Sequence, residues 1–322
     1  MESKITKISG DASFRKFFRL VADKKSSILV LAKKEKYQNL AAYSAINNFL
    51  IKKKILAPRL YEHNFKKGFI KIKNFGNLSF HKVLMKTKKK FIVYKKLVDL
   101  LLKIQKIKPK KKIKNIVNTL HKVNVYSAKY LQKESDLFFD WYLTLFLNKK
   151  KVSKIKRKAN KILLESYKSL YFKNFTFVHR DFHSQNLMSV RNKVGVIDSQ
   201  DALIGNPAYD LVSLIDDVRI KTTKELKKKI YNYYIKKKFK KNNILKSKFL
   251  RDFEILAVQR SLKIIGIFSR LFKRDKKAIY LKLIPYTWSI LDYRMDSKIF
   301  SELKALLEKN IKKKHKKRVL TK

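Results

Sequence analysis

Between residues 175 and 198 the hydrophobic period of the chain changes. Phe175-Thr176-Phe177-Val178, Asn186 to Val190 and Val194-Gly195-Val196-Ile197 read as short apolar strands joined by polar loops, within a region otherwise patterned for helices. A small β segment set among helices restricts the folds open to the chain. It is also a place where loops on a rigid support hold side chains in fixed positions. The segment reads Val178-His179-Arg180-Asp181-Phe182-His183-Ser184-Gln185-Asn186-Leu187-Met188, followed by Val196-Ile197-Asp198-Ser199-Gln200-Asp201.

This is a strand, a loop bearing a carboxylate and an amide, and a second strand that delivers another carboxylate. The oxygens of Asn186 and Asp198 suit Mg²⁺, a hard cation that keeps several waters and takes few protein ligands. Asp181, on the other side of the loop, is placed to accept a proton from a substrate hydroxyl. Phosphoryl transfer needs both parts: ligands for a metal on the phosphates, and a base that orients the attacking oxygen. His179 is expected to buttress the loop from the core rather than to react.

The rest of the chain frames this segment. Phe17 to Val21 and Ile28 to Leu31 are strand-length apolar runs separated by a polar connector. Leu40, Tyr43, Ile46, Phe49 and Leu50 share one helical face, and Phe69 to Ile72 is a further strand. Residues 1–75 therefore read as a small β lobe with one helix. Residues 76–311 are mostly helical, with patterns at Phe91–Ile107, Ser135–Asn148, Ala159–Tyr171, Tyr209–Ile220, Lys224–Lys238, Phe249–Phe272, Ala278–Tyr293 and Ser301–Ile311. Residues 312–322 form a basic tail. The expected class is α+β.

Composition tests other readings. The 322 residues carry 81 Lys plus Arg against 24 Asp plus Glu, a formal net charge of +57. Such a charge invites a nucleic-acid or anionic-membrane reading. Only 13 of the cations are Arg, however, and the Lys runs are scattered along the chain rather than gathered on one element. Together with few Gly and Pro, this is the signature of AT-rich codons, and no specific nucleic-acid partner is expected. The absence of cysteine excludes a disulfide scaffold, a thiolate metal site and a thiol nucleophile. No apolar run is long enough to span a membrane, and the first residues carry no secretory signal pattern. A cytoplasmic enzyme, monomeric or weakly dimeric, is the expectation.

Taken together, the 178–188 loop, Ile197 to Asp201, Gly10 to Leu20, Gly205 to Leu214 and Gln259 to Leu271 resemble the aminoglycoside phosphotransferase/choline kinase family. Within it they look most like the bacterial N-acetylmuramate/N-acetylglucosamine anomeric kinases. The resemblance covers nearly the whole chain and implies a protein-kinase-like two-lobe fold using ATP and Mg²⁺. It implies Asp181 as catalytic base and Asn186 and Asp198 as metal ligands. Ser13, Phe14 and Arg15 would lie in the nucleotide-covering turn, with Ile72 and Asn74 at the hinge that faces adenine. The turn contains one Gly, so by motif alone it is no glycine-rich phosphate loop and equally suits an ordinary hairpin. Arg180, His183, Gln200, Asp201 and Asp140 are candidates for the acceptor side. Phe138, Trp141 and Tyr142 beside Asp140 suit a sugar face, though aromatics of this size more commonly pack a core. Asp210 is read as a structural support near a helix start.

The implied reaction is phosphorylation of a sugar hydroxyl, at C1 of N-acetylmuramate or N-acetylglucosamine in cell-wall recycling. An aminoglycoside, choline or amino-alcohol phosphotransferase is the alternative. A non-catalytic basic binding protein on the same scaffold is a more distant one. The chain departs from protein kinases in three ways. Ile28 to Leu31 holds no Lys, and the helix after Gln38 offers no Glu to pair with one. Lys33, Lys34 and Glu35 stand just after the strand as substitutes. Ser199 follows Asp198 where a protein kinase has an aromatic, and no activation-loop signature appears, so protein substrates are not expected.

Overall fold

Alternation in Phe69–Lys73 turns Ile70 and Ile72 to one face, and that face needs cover. The cover is α1 (Tyr37–Lys52), whose Leu40, Tyr43, Ile46 and Leu50 recur at helical spacing and are buried. Val30, Leu40, Tyr43, Ile70 and Ile72 form the resulting core, with Phe17, Ile28 and Leu60 packed around it. The sheet is antiparallel and five-stranded: β1 (Lys4–Ile8), β2 (Lys16–Ala22), β3 (Lys25–Leu31), β4 (Leu60–Asn64) and β5 (Phe69–Lys73), in the order β1-β2-β3-β5-β4. In this computed structural model, residues 4–8, 15–22, 25–32, 37–115, 119–173 and 175–317 are described. Ser13, Phe14 and the Lys33-Lys34-Glu35 stretch lie outside them. The sequence reading had no strand at Leu60–Asn64, where Glu62, His63 and Asn64 interrupt any apolar pattern at this edge position.

Two helices follow: α2 (Phe80–Lys86), with Ser79 accepting from the Lys82 amide, and α3 (Lys90–Gln105), which buries Tyr94, Leu97, Val98, Leu101 and Ile104 as one stripe. A short hairpin, β6 (Lys112–Lys114) with β7 (Leu120–Lys122), comes next. The central β segment consists of β8 (Thr176–Val178), β9 (Leu187–Val190), β10 (Lys193–Val196) and β11 (Leu203–Gly205). β9 and β10 pair from Leu187↔Val196 to Val190↔Lys193, so the turn between them has two residues. Arg191 and Asn192 both take positive φ, 46° and 62°, as a tight hairpin of this hand requires. β8 pairs instead with β11.

The remainder is helical: α4 (Ala128–Leu137), α5 (Lys149–Lys168), α6 (Ala208–Ile215), α7 (Lys224–Phe239), α8 (Asn243–Asp275), α9 (Ile284–Arg294), α10 (Ser301–Asn310) and α11 (Lys313–Lys317). By packing, the chain divides into two compact units. Met1–Asn124 joins Thr176–Ile204 in one, and Val125–Phe175 joins Gly205–Lys322 in the other. Neither unit boundary falls near residue 75, where the five-stranded sheet ends.

The second unit is built on α8, whose length is mostly buried. α4 runs into a π-helical turn at Phe138–Tyr142, where the sequence reading has an ordinary helix through 148. Phe138, Phe139 and Tyr142 are fully buried there, and the Trp288 indole donates to the Tyr142 hydroxyl at 2.8 Å. Phe138 and Tyr142 are thus core residues, as their size favours.

Gly266 makes the α8–α4 crossing possible. A Cβ at this position would stand 2.3 Å from the Leu137 carbonyl carbon and 2.6 Å from its oxygen. Alanine gains about 1 kcal/mol of helix propensity over glycine, but the obstacle is backbone and cannot swing aside. We expect Gly266→Ala to destabilise the protein by about 1–3 kcal/mol net, read as a lower urea midpoint. An unchanged midpoint would mean the two helices can separate without cost.

Candidate active site

The candidate residues of the central β segment all fall in the first unit. The β9–β10 ladder brings two of them to one end. Beyond the Leu187–Val196 pair, the Ile197 amide donates to the Asn186 carbonyl at 3.0 Å. Asn186 and Asp198 therefore leave the ladder side by side. The Asn186 amide nitrogen donates to the Asp181 carbonyl at 3.0 Å, which leaves its oxygen to turn elsewhere. The same loop is tied by backbone bonds from His183 N to Asp181 O and from Asn186 N to His183 O. His179 is completely buried, and its Nε2 lies 3.0 Å from the Ile197 carbonyl, at the root of Asp198. His183 is buried too, its Nε2 at 3.4 Å from the Asn186 amide nitrogen.

Two residues here hold left-handed backbone without being glycine: Arg180 at φ +79° and Asp198 at φ +64°. Such conformations cost of order 1 kcal/mol or more and persist where the surroundings enforce them. They turn the chain sharply just before Asp181 and at Asp198.

Arg15, the first described residue before β2, reaches this end of the hairpin. Its Nη2 donates to Asp198 Oδ1 at 2.6 Å and its Nη1 to Gln200 Oε1 at 3.0 Å. The Arg15 side chain is 6% exposed, while that of Asp198 is 36% exposed. Gln200 passes its other end on, donating to Asp201 Oδ2 at 2.9 Å, and Asp201 lies 3.9 Å from the Arg180 guanidinium. α1 supplies the opposite wall. Ser199 donates to Asn47 Oδ1 at 2.6 Å, and the Asn47 amide donates to the Pro58 carbonyl. Burial raises the Tyr43 hydroxyl to about 12, with its bond to Asn47 and the charge of Arg15 acting the other way and that of Asp198 adding to the rise. Tyr43 thus stays a neutral phenol beside Asn47.

The other candidates have partners of their own. Ile72 is buried within β5; Asn74 follows the strand, donates to Ser26 Oγ at 2.7 Å and accepts from the Gly76 amide. Arg19 donates to Asn77. Asp140 and Asp210 belong to the second unit. Asp140 pairs with Lys156 at 2.8 Å, and Asp210 is buried in the first turn of α6. Sequence reasoning missed Asn47. Its signal was a polar residue on the apolar face of α1, four positions after Tyr43.

One carboxylate and one amide oxygen on adjacent strand ends fit a magnesium ion that fills its sphere with water and phosphate oxygens. Among the described residues no group of three or more His, Cys, Asp or Glu could hold a metal by itself. This donor set therefore suits an ion shared with a phosphorylated substrate.

The model of the phosphotransferase enzyme family matches residues 4–239. The chain belongs to this family. Such phosphotransferases pass phosphate to a hydroxyl, and relatives of known activity agree. The chain is 27% identical over 309 residues to the N-acetylmuramate/N-acetylglucosamine kinase of Neisseria meningitidis serogroup B, covering 94% of this chain and 88% of that one. It is 28% identical over 287 residues to the enzyme of the same name from Pseudomonas aeruginosa, covering 88% and 81%. Among solved structures it is similar to the ADP-bound aminoglycoside phosphotransferase APH(2'')-Ib, with a TM-score of 0.62 at 14% identity, covering 92% of this chain and 94% of that one. A Plasmodium vivax ethanolamine kinase gives a TM-score of 0.61 at 11% identity, covering 93% and 84%. These likenesses establish the protein-kinase-like fold of the phosphotransferase. No described helix is long and apolar enough to cross a membrane.

Proposed function

We propose that this phosphotransferase uses Mg·ATP to phosphorylate a sugar hydroxyl, the C1 hydroxyl of N-acetylmuramate or N-acetylglucosamine, in cytoplasmic cell-wall recycling. The observation that carries the site is the backbone bond from Ile197 to Asn186, which brings Asn186 and Asp198 to the same end of the β9–β10 hairpin, with Asp181 five residues before Asn186 on the tied loop. The names of the Neisseria and Pseudomonas relatives support the acceptor.

In this reading Asp181 accepts the proton of the attacking hydroxyl. The Asn186 bond to the Asp181 carbonyl keeps base and metal ligand in register. Asn186 and Asp198 would hold magnesium, which would supply positive charge against the phosphates. Arg15, with Ser13, Phe14, Ile72 and Asn74, takes the nucleotide side. Arg180, His183, Gln200, Asp201 and Asp140 are assigned to the acceptor side, and His179 and Asp210 support the frame. Little covalent work falls to the protein, and catalysis rests on positioning and charge stabilisation.

The charge of +57 bears on the acceptor. A positive field disfavours polycationic aminoglycosides and favours neutral or anionic acceptors, and N-acetylmuramate carries a lactyl carboxylate. ADP release by the purified protein is expected with N-acetylmuramate and N-acetylglucosamine, and not with kanamycin or choline. Activity on choline or kanamycin with none on the sugars would replace this reading with that of an amino-alcohol or aminoglycoside kinase.

A further inference from the structure

Protein kinases place a Lys in the third strand to meet the phosphates. Here β3 (Lys25–Leu31) has Lys only at its first residue, and α1 (Tyr37–Lys52) carries no carboxylate to pair with one. The cation that does reach the metal side is Arg15. It is more than nine-tenths buried, it holds Asp198 Oδ1 at 2.6 Å, and Gln200 holds its second nitrogen at 3.0 Å. Gln200 is itself 6% exposed, and both ends of its amide are engaged, one by Arg15 and one by Asp201. A guanidinium fixed by two acceptors has its orientation set by the fold.

We propose that Arg15 is a positioning residue of the phosphoryl-transfer centre and that it competes with the metal for Asp198. In the pair as it stands, the guanidinium neutralises Asp198 at its left-handed turn. When the metal arrives with the nucleotide, Asp198 exchanges one cation for the other, and Arg15, still held by Gln200, turns its charge to the phosphates. The exchange keeps a lone divalent ion from settling on Asp198, so metal and nucleotide enter together. No bond is made or broken beyond ion pairs and hydrogen bonds. The inference rests on the proposed roles of Asn186 and Asp198.

The geometry supports competition for two reasons. A 2.6 Å charge-assisted bond occupies one carboxylate oxygen, and a divalent ion would meet an adjacent positive charge at close range. Gln200 also limits how far Arg15 can retreat, so the competitor stays near.

The test uses the full chain and Mn²⁺ as the metal probe, with free Mn²⁺ read by electron paramagnetic resonance in the absence of nucleotide. Arg15→Gln is expected to bind Mn²⁺ about tenfold more tightly than the wild type, the worth of one charge-assisted hydrogen bond. Its turnover with Mg·ATP and N-acetylglucosamine should fall by about 10²-fold, as when one charge-stabilising donor is lost. Arg15→Lys should keep metal affinity near the wild-type value and recover part of the turnover. Gln200→Ala, which loosens Arg15 without removing its charge, should raise Mn²⁺ affinity by a smaller factor and serves if Arg15→Gln fails to fold. Unchanged or weaker Mn²⁺ binding in Arg15→Gln or Gln200→Ala would overturn the competition. A thermal shift of the wild type by Mg·ATP separates the two levels. If the shift is present and the variants bind Mn²⁺ as the wild type does, only the exchange fails. If the shift is absent, the metal-site reading itself fails, and the exchange with it.

Discussion

Asp181→Ala is expected to lower turnover by about 10²–10⁴-fold, with the affinity for Mg·ATP nearly unchanged. The loop around Asp181 is held by its backbone: its carbonyl accepts from the Asn186 side chain and from the His183 amide. Truncating the carboxylate leaves these bonds in place, so the metal side keeps its shape. What is lost is the acceptor for the proton of the attacking hydroxyl, and that loss falls on the chemical step. A fall in kcat with little change in the KM for ATP is therefore the expected signature. Asp181→Asn should be almost as inactive, since an amide keeps the shape and cannot take the proton. Unchanged turnover in either variant would remove Asp181 from the proposed role.

The second large effect is on stability. In the second unit Glu134, 6% exposed, and Lys263, 5% exposed, pair at 3.0 Å between α4 and α8. Tyr126 donates to the same carboxylate, Gln259 approaches it at 3.3 Å, and the Lys263 ammonium also donates to the Tyr209 hydroxyl. Desolvating two charges is costly, and their attraction offsets it only while both are present. Lys263→Met takes the ammonium from a buried carboxylate and should cost about 3–5 kcal/mol. That is a large share of the 5–15 kcal/mol or so that holds a domain together. Adding Glu134→Gln to Lys263→Met should recover much of the loss, because no buried charge then remains. Chemical denaturation of the single and the double variant beside the wild type checks this. A single variant as stable as the wild type would show that water reaches the pair.

Both effects bear on what the sequence made legible. The central β segment could be read because β8, β9 and β10 are short apolar runs with polar loops between them, and the spacing of Asp181, Asn186 and Asp198 is a local property. Sheet and helices followed from period for the same reason. Other features depend on contacts far apart in sequence. Arg15 meets Asp198 across 183 positions and Asn47 meets Ser199 across 152. Neither pair leaves a pattern in a single chain beyond one polar residue on an apolar face. The π-helical turn at Phe138–Tyr142 keeps helical spacing almost unchanged, so periodicity reads through it. Leu60–Asn64 was missed because an edge strand is polar by need.

The composition carries a second lesson. A net charge of +57 is the most conspicuous number in the sequence, yet among the described residues only particular cations enter buried ion pairs, among them Arg15 with Asp198, Lys263 with Glu134, and Lys227 and Arg294 with Asp216. Position and burial, not abundance, decide which cations matter.

The proposed reaction transfers phosphate to the anomeric hydroxyl of an N-acetylated amino sugar. ³¹P NMR of the product, made with purified protein, Mg·ATP and N-acetylglucosamine or N-acetylmuramate, reads the position directly. A single resonance coupled to the anomeric proton is the predicted result. Phosphate on C6 or another carbon, or no sugar phosphate while ATP is consumed on an amino alcohol or aminoglycoside, would contradict it.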